Sequence, residues 1–324
     1  MKKNLKVNLM WLGIAVIGYL IIYFLHVAGL VTVFSETTMV MIGINVILAT
    51  GLNLIIGFAG QFSLGHAGFM AIGAYGTSLV LMNNPTMGGL FTGLFISMIL
   101  SGFVALVVGI PTLRLKGDYL AIATLGISEI IRIVIINMPK LTNGPAGLFG
   151  IPNMASWSLV YILMVLSTVL IYNFIHSGPG RAVMSVREDE IAAEAMGVNT
   201  TKYKVMAFVF GAMTAAIAGG LHASYIQTIA PKDFTFNKSI DILIIVVFGG
   251  IGSLTGTFVA SIALGILNMV LQDFGQLRMI IYALALIIIM IFKPNGLLGN
   301  WEFSLARLMN RKKKGGVKDG SAAN

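Results

Sequence analysis

Between Thr37 and Leu113 the chain carries no Asp, Glu, Lys or Arg, and several later stretches are nearly as poor in charge. About 20 consecutive apolar residues let an α-helix cross a hydrocarbon core ~30 Å thick. The runs are continuous, whereas the strands of a membrane β-barrel alternate lipid-facing with lumen-facing residues. The chain therefore reads as an all-α, polytopic integral membrane protein. The absence of cysteine removes disulfides, thiolate catalysis and cysteine metal sites from consideration.

Spans are expected at about 9–29, 37–57, 62–82, 89–110, 119–138, 157–176, 203–223, 241–252, 254–271 and 279–293, or eight to ten crossings. The eighth is too short to cross alone. With the ninth it makes one bent hairpin or one broken helix about the glycines Gly249, Gly250 and Gly252. Three lysines precede an apolar run from Val7 to about Val33, too long for a signal-peptide core, so this reads as a retained first helix.

The net charge of +9 is explained by topology. With the N-terminus in the cytoplasm and ten crossings, sixteen of the 21 Lys and Arg fall on the cytoplasmic side. Lys140, Lys232, Lys238 and Arg278 fall outside, and Arg132 lies within a span. Both termini are then cytoplasmic. The basic tail, 301–324, reads as a solvated or lipid-touching end rather than a nucleic-acid patch.

The same topology puts a charged island, Arg181 to Lys204, in the cytoplasm. It holds four bases, Arg181, Arg187, Lys202 and Lys204, and four acids, Glu188, Asp189, Glu190 and Glu194. Gly178, Pro179 and Gly180 are expected to break the chain out of the preceding span, and Ser185 with Glu188 to form a capping box. A helix from about Val186 to Met196 follows, ended by Gly197, with Asn199 or Thr200 capping the next. Ile191, Ala192, Ala195 and Met196 form a small apolar face on an otherwise polar helix. A net-neutral surface with a shallow apolar face suits a protein groove better than lipid or nucleic acid. A connector that touches only water is the plain alternative.

At these residues the chain resembles the permease subunits of bacterial branched-chain amino-acid ABC importers. The resemblance rests on the island and on GFAGQFSLGHAGFMAIGAYG at 57–76, RLKGDYLAIATLGISEIIR at 114–132, TNGPAGLFGIP at 142–152, VVFGGIGSLTG at 246–256 and MIIYALALIIIMIFKPNGLLG at 279–299. It implies one permease domain over 1–300 with a coupling loop at 177–204, in the bacterial inner membrane. It further implies a related permease partner, as a heterodimer, two cytoplasmic ABC ATPases and an external substrate-binding protein. The ATPase-coupling residues would be Arg181, Arg187, Glu188, Glu190, Ile191, Glu194, Ala195 and Gly197. No cofactor would bind this chain, and ATP would be used by the partners. The sequence agrees in having no G-x-x-x-x-G-K-[ST] phosphate loop.

Asn53, Gln61, Ser63, His66, Glu129 and Arg132 are the candidate pathway or bundle-polar residues. Glu129 and Arg132, three apart, share a helix face and are expected to pair. Gln61 and His66 serve either tight packing or a pathway wall. The stripe Gly211, Ala215, Gly219, Ala223 and the shorter one of Gly252, Gly256 and Ala260 mark helix contact faces. An ion-coupled secondary carrier is the transporter rival, and an importer of the same type for urea or short amides is the substrate rival. A membrane enzyme is disfavoured because the histidines at 26, 66, 176 and 222 form no cluster with carboxylates.

Overall fold

The computed structural model describes residues 2–29 and 31–274, with isolated positions between 277 and 299. The tail 301–324 lies outside the described residues, as does much of the tenth expected span. The helices are α1 (Lys2–Val27), α2 (Val33–Asn53), α3 (His66–Asn83), α4 (Met87–Thr112), α5 (Asp118–Ile136), the single turn α6 (Pro139–Thr142), α7 (Trp157–Ile175), α8 (Gly178–Glu188), α9 (Glu190–Ala195), α10 (Thr200–Ile226), α11 (Phe236–Gly249) and α12 (Leu254–Val270). Two short strands, β1 (Leu148–Phe149) and β2 (Thr228–Ile229), pair antiparallel with Leu148 opposite Ile229. The all-α membrane fold is as expected.

Among the described residues, α2 with its C-terminal turn, α4, α5, α7 and α10 are long and apolar enough to cross a membrane. The α11–α12 pair makes a sixth if taken as one span, bent by 119° at its break. The glycine-rich turn at 249–252 is thus a sharp bend rather than a mild kink.

The bundle is built around α10, whose small residues let its neighbours come close. Gly211, Ala215, Gly219 and Ala223 are all buried. A Cβ on Gly211 would run into Ile55, and one on Gly219 into the Met70 carbonyl. The expected contact stripe therefore works within this subunit, against α2 and α3. Phe208 and Phe69 meet edge to face at 5.5 Å between centroids. Gly256 likewise lies against the Gly249 backbone, which brings α11 and α12 together on either side of their bend.

The third span departs from expectation. Helix α2 runs into a π-helical turn, Leu54–Phe58, and the chain is then non-helical until α3 starts at His66 rather than near residue 62. Helix-free backbone at this depth is tolerable where protein buries it. Gln61, Ser63 and His66 are indeed 2%, 2% and 1% exposed. The Leu64 and Ala67 N–H groups donate to the Thr124 and Ser239 hydroxyls at 3.0 and 3.1 Å.

Candidate functional site at the charged loop

The loop between α7 and α10 folds as two short helices. Ser177 caps α8 by accepting from the Gly180 N–H at 3.2 Å, and Pro179 sits in the first turn, where its missing N–H costs nothing. Gly178–Gly180 therefore begin a helix instead of breaking one. Gly180 is required there because a Cβ would collide with the Phe174 and Ile175 carbonyls.

The expected capping box is absent. Ser185 lies inside α8 and donates to the Ala182 carbonyl at 2.9 Å. The cap is Asp189 instead, whose carboxylate accepts from the Ile191 and Ala192 N–H groups at 2.9 and 3.0 Å. Asp189 has extended backbone, φ −155°, so the single expected helix is split into α8 and α9 at this residue. Gly197 ends α9 with φ +84°, and Asn199 caps α10 by accepting from the Lys202 N–H at 2.9 Å, both as expected.

The two helices are anchored differently. Val183 and Val186 of α8 are buried. Val183 joins a small core with Leu54, Phe58, Ile171, Ile175, Ala207 and Leu254. Arg187, next along α8, donates from Nη1 to the Gly57 carbonyl in the π-helical turn at 2.6 Å. Helix α9 is held by charge: Lys204 Nζ lies 2.6 Å from Glu190 Oε1 and Lys116 Nζ 3.5 Å from Oε2. The Lys204 hydrogen bond is the largest influence on Glu190 and holds its carboxyl below the usual range. Ala193 alone of the α9 residues is buried. Ile191 and Met196 are 78% and 84% exposed.

Beneath Arg187 lies a hydrogen-bonded knot. Asn53, fully buried at the end of α2, donates from Nδ2 to the Ser253 carbonyl at 2.9 Å and to Thr257 Oγ1 at 2.8 Å. Its Oδ1 accepts from the Gly252 N–H at 2.9 Å. One amide thus ties α2 to the break between α11 and α12. Gly252 has φ +87°, and a Cβ there would sit 3.2 Å from Arg187 Nη1. The loop helix, the π-helical turn and the bend therefore share one point of contact.

The far end of α10, about 40 Å along the helix, differs. There a pocket of about 730 Å³ opens between α3, α10, α11 and the β1–β2 corner. Lys238 and His222 are among its lining residues.

The family model for the branched-chain amino acid transport system permease component matches residues 34–292. The chain belongs to this family. It is 35% identical over 260 residues to the high-affinity branched-chain amino acid transport system permease protein LivM of Salmonella typhimurium, covering 70% of this chain and 61% of that protein. The Escherichia coli LivM is 33% identical over the same coverage. The Escherichia coli LivH permease is 29% identical over 148 residues, 45% of this chain and 47% of its own length. The chain thus spans about three fifths of the length of the LivM proteins it resembles. No solved structure matches it.

For this permease component the structure sorts the expected site residues by what holds them. Arg187 and Glu190 tether the loop helices inward, while Arg181, Glu188, Ile191, Glu194, Ala195 and Gly197 stand on the exposed side. Arg181 donates to the His176 carbonyl at 3.1 Å, and Glu188 lies 3.6 Å from Arg187 Nε. Glu129 and Arg132 pair as their spacing predicts, with Oε2 2.6 Å from Nη2. Asn53 is a structural crosslink, whereas Gln61 is about as buried with no partner for its side-chain nitrogen and oxygen among the described residues, and the buried His66 ring approaches the Leu48 backbone. Sequence reasoning missed the Arg187–Gly57 bond, the knot and the pocket at Lys238. Of these only the knot lay beside a signal, the cluster of three glycines at the bend it ties.

Proposed function

We propose that this chain is one transmembrane half of an ATP-driven importer of branched-chain amino acids, and that the α8–α9 loop receives a cytoplasmic ATPase. In this reading the loop faces the cytoplasm of a bacterial inner membrane, as the distribution of basic residues favours. A second, related permease completes the pathway and an external binding protein delivers substrate. ATPase closure pushes on α9, α8 passes the push to the π-helical turn and the α11–α12 bend through Arg187, and the two halves rock between outward and inward openings.

The observation that carries this reading is the contrast within α9. Its buried side is fastened by Ala193 and the Glu190 ion pairs, yet Ile191 and the adjoining Met196 stand exposed, with none of the described residues folded over them. A rigidly mounted apolar face of this kind fits a shallow groove in a partner. The LivM and LivH names of its relatives supply the substrate class.

The test is Ile191→Ser, with Ala195→Trp beside it. Ile191 is so exposed that its loss should alter stability by less than about 0.5 kcal/mol, while ATPase co-purification and leucine uptake should both drop at normal permease abundance. Unchanged uptake in both variants would remove the docking assignment. Uptake that follows an ion gradient without ATP hydrolysis would favour a secondary carrier, and preference for urea or acetamide over leucine would change the substrate class. Because the chain has no cysteine, Met196→Cys provides a single label whose reaction with an impermeant reagent reports which side the loop faces.

A further inference from the structure

The pocket at the far end of α10 has two kinds of wall. Met70, Phe149, Ile226 and Ile229 supply an apolar side, and Lys232, Lys238, His222 and Asp233 a polar one. Its volume of about 730 Å³ lies within the range of small-molecule sites. The short β1–β2 pair brings Phe149 and the buried Ile229 to this pocket, while the first turn of α11 brings Lys238. That turn is fixed, because the neighbouring Ser239 hydroxyl accepts from the Ala67 N–H of α3 at 3.1 Å.

The polar groups of this wall are not spent on one another. Lys238 is partly buried and close enough to Asp241 and Asp233 for their charges to act on it, as its own acts on His222. Yet none of the described residues holds its ammonium in an ion pair. His222 Nδ1 is buried with no hydrogen-bond partner among them. Asp233 uses Oδ2 to accept from the Ala230 N–H at 2.9 Å, which fixes the carboxylate. Two ammonium groups, an imidazole and a carboxylate beside an apolar surface suit a small molecule carrying both charges and a hydrocarbon side chain. A simple anion would leave Asp233 opposed, and a simple amine would meet Lys238.

We propose that this pocket receives the free zwitterion of an aliphatic amino acid, its carboxylate on Lys238 and His222, its ammonium on Asp233 and its side chain on the apolar wall. The assignment rests on the transport reading for the substrate class and adds the place where the substrate first meets the permease.

The experiment is equilibrium binding of radiolabelled leucine to the full chain in nanodiscs, with whatever subunits co-purify, alongside uptake into proteoliposomes. Lys238→Gln should weaken leucine binding about tenfold or more, as expected for loss of a charge-assisted hydrogen bond, while Lys238→Arg should stay within about threefold. Asp233→Asn retains an oxygen for the Ala230 N–H. It should narrow the gap between leucine and 4-methylpentanoate, which lacks the ammonium, whereas damage to the fold would weaken both ligands alike. Leucine uptake with binding unchanged in Lys238→Gln and Asp233→Asn at normal yield would overturn the pocket and leave the transport reading standing. A wild-type chain that neither binds nor imports any amino acid would overturn the transport reading and this ligand together.

Discussion

The two ends of α10 hold similar polar residues in opposite states. At the loop end each key group is engaged: Arg187 on the Gly57 carbonyl, Glu190 between Lys204 and Lys116, and Asn53 on three partners across the α11–α12 bend. At the other end Lys238 and His222 Nδ1 face a pocket without such partners among the described residues. Saturated networks resist deformation and transmit displacement, whereas groups with spare hydrogen-bonding capacity can take a ligand. The same contrast separates Asn53 from Gln61, two buried amides on consecutive segments, one fully bonded and the other with both side-chain polar atoms unpartnered. Burial alone therefore does not tell a structural amide from an available one.

The strongest way to break this contrast is Asn53→Leu. It strands the part-buried Gly252 N–H, while the Thr257 hydroxyl keeps its bond to the Ser253 carbonyl, and it should cost about 3 kcal/mol, seen as lower thermal stability and lower membrane abundance. If that variant were as stable as the parent, the loop end would not be the rigid one. Next comes Arg187→Ala, which removes a charge-assisted bond of a kind that contributes about 1.5–3 kcal/mol. Uptake should fall about tenfold while ATPase association persists, because α9 keeps its exposed face, and Lys at the same position should restore part of it. Loss of ATPase association would show that Arg187 shapes the docking face itself.

The smallest effect is expected for Glu190→Gln, about 0.5–1 kcal/mol at neutral pH. The sign of its pH dependence follows from the lowered carboxyl. The Glu190 contribution is complete above the ordinary Glu value near 4.3 and is lost as pH falls through the depressed one. Thermal unfolding of parent and variant should therefore differ at pH 7 and converge in strong acid. A difference that persisted there would assign the stabilisation to packing instead of charge.

Much of the membrane architecture was legible because lipid imposes a simple demand, long runs without charge. The α10 stripe was legible for a similar reason, since small residues four apart have one common use. The Glu129–Arg132 pair needed only helical spacing. Local rules failed where two competed. Ser185 with Glu188 resembles a capping box, but Ser177 followed by Pro179 is the stronger start signal, and Asp189 offers its carboxylate to the next two free N–H groups. The Arg187–Gly57 bond spans 130 positions of sequence, and no periodicity reports such a pair. Gln61 and His66 could not be sorted from Asn53, because residue type states the capacity for hydrogen bonding and only the surroundings decide whether it is used.

The Asn53 knot also limits how the subunit can change shape. Its bonds to Ser253, Thr257 and Gly252 are 2.8–2.9 Å long, and a separation of the two sides by about 1 Å along the bonds would stretch them past useful range. Since all three end on one side chain, they let go together. The junction accordingly behaves as a latch with two settings, closed or released, and a slow drift of the loop would accumulate no partial opening behind it.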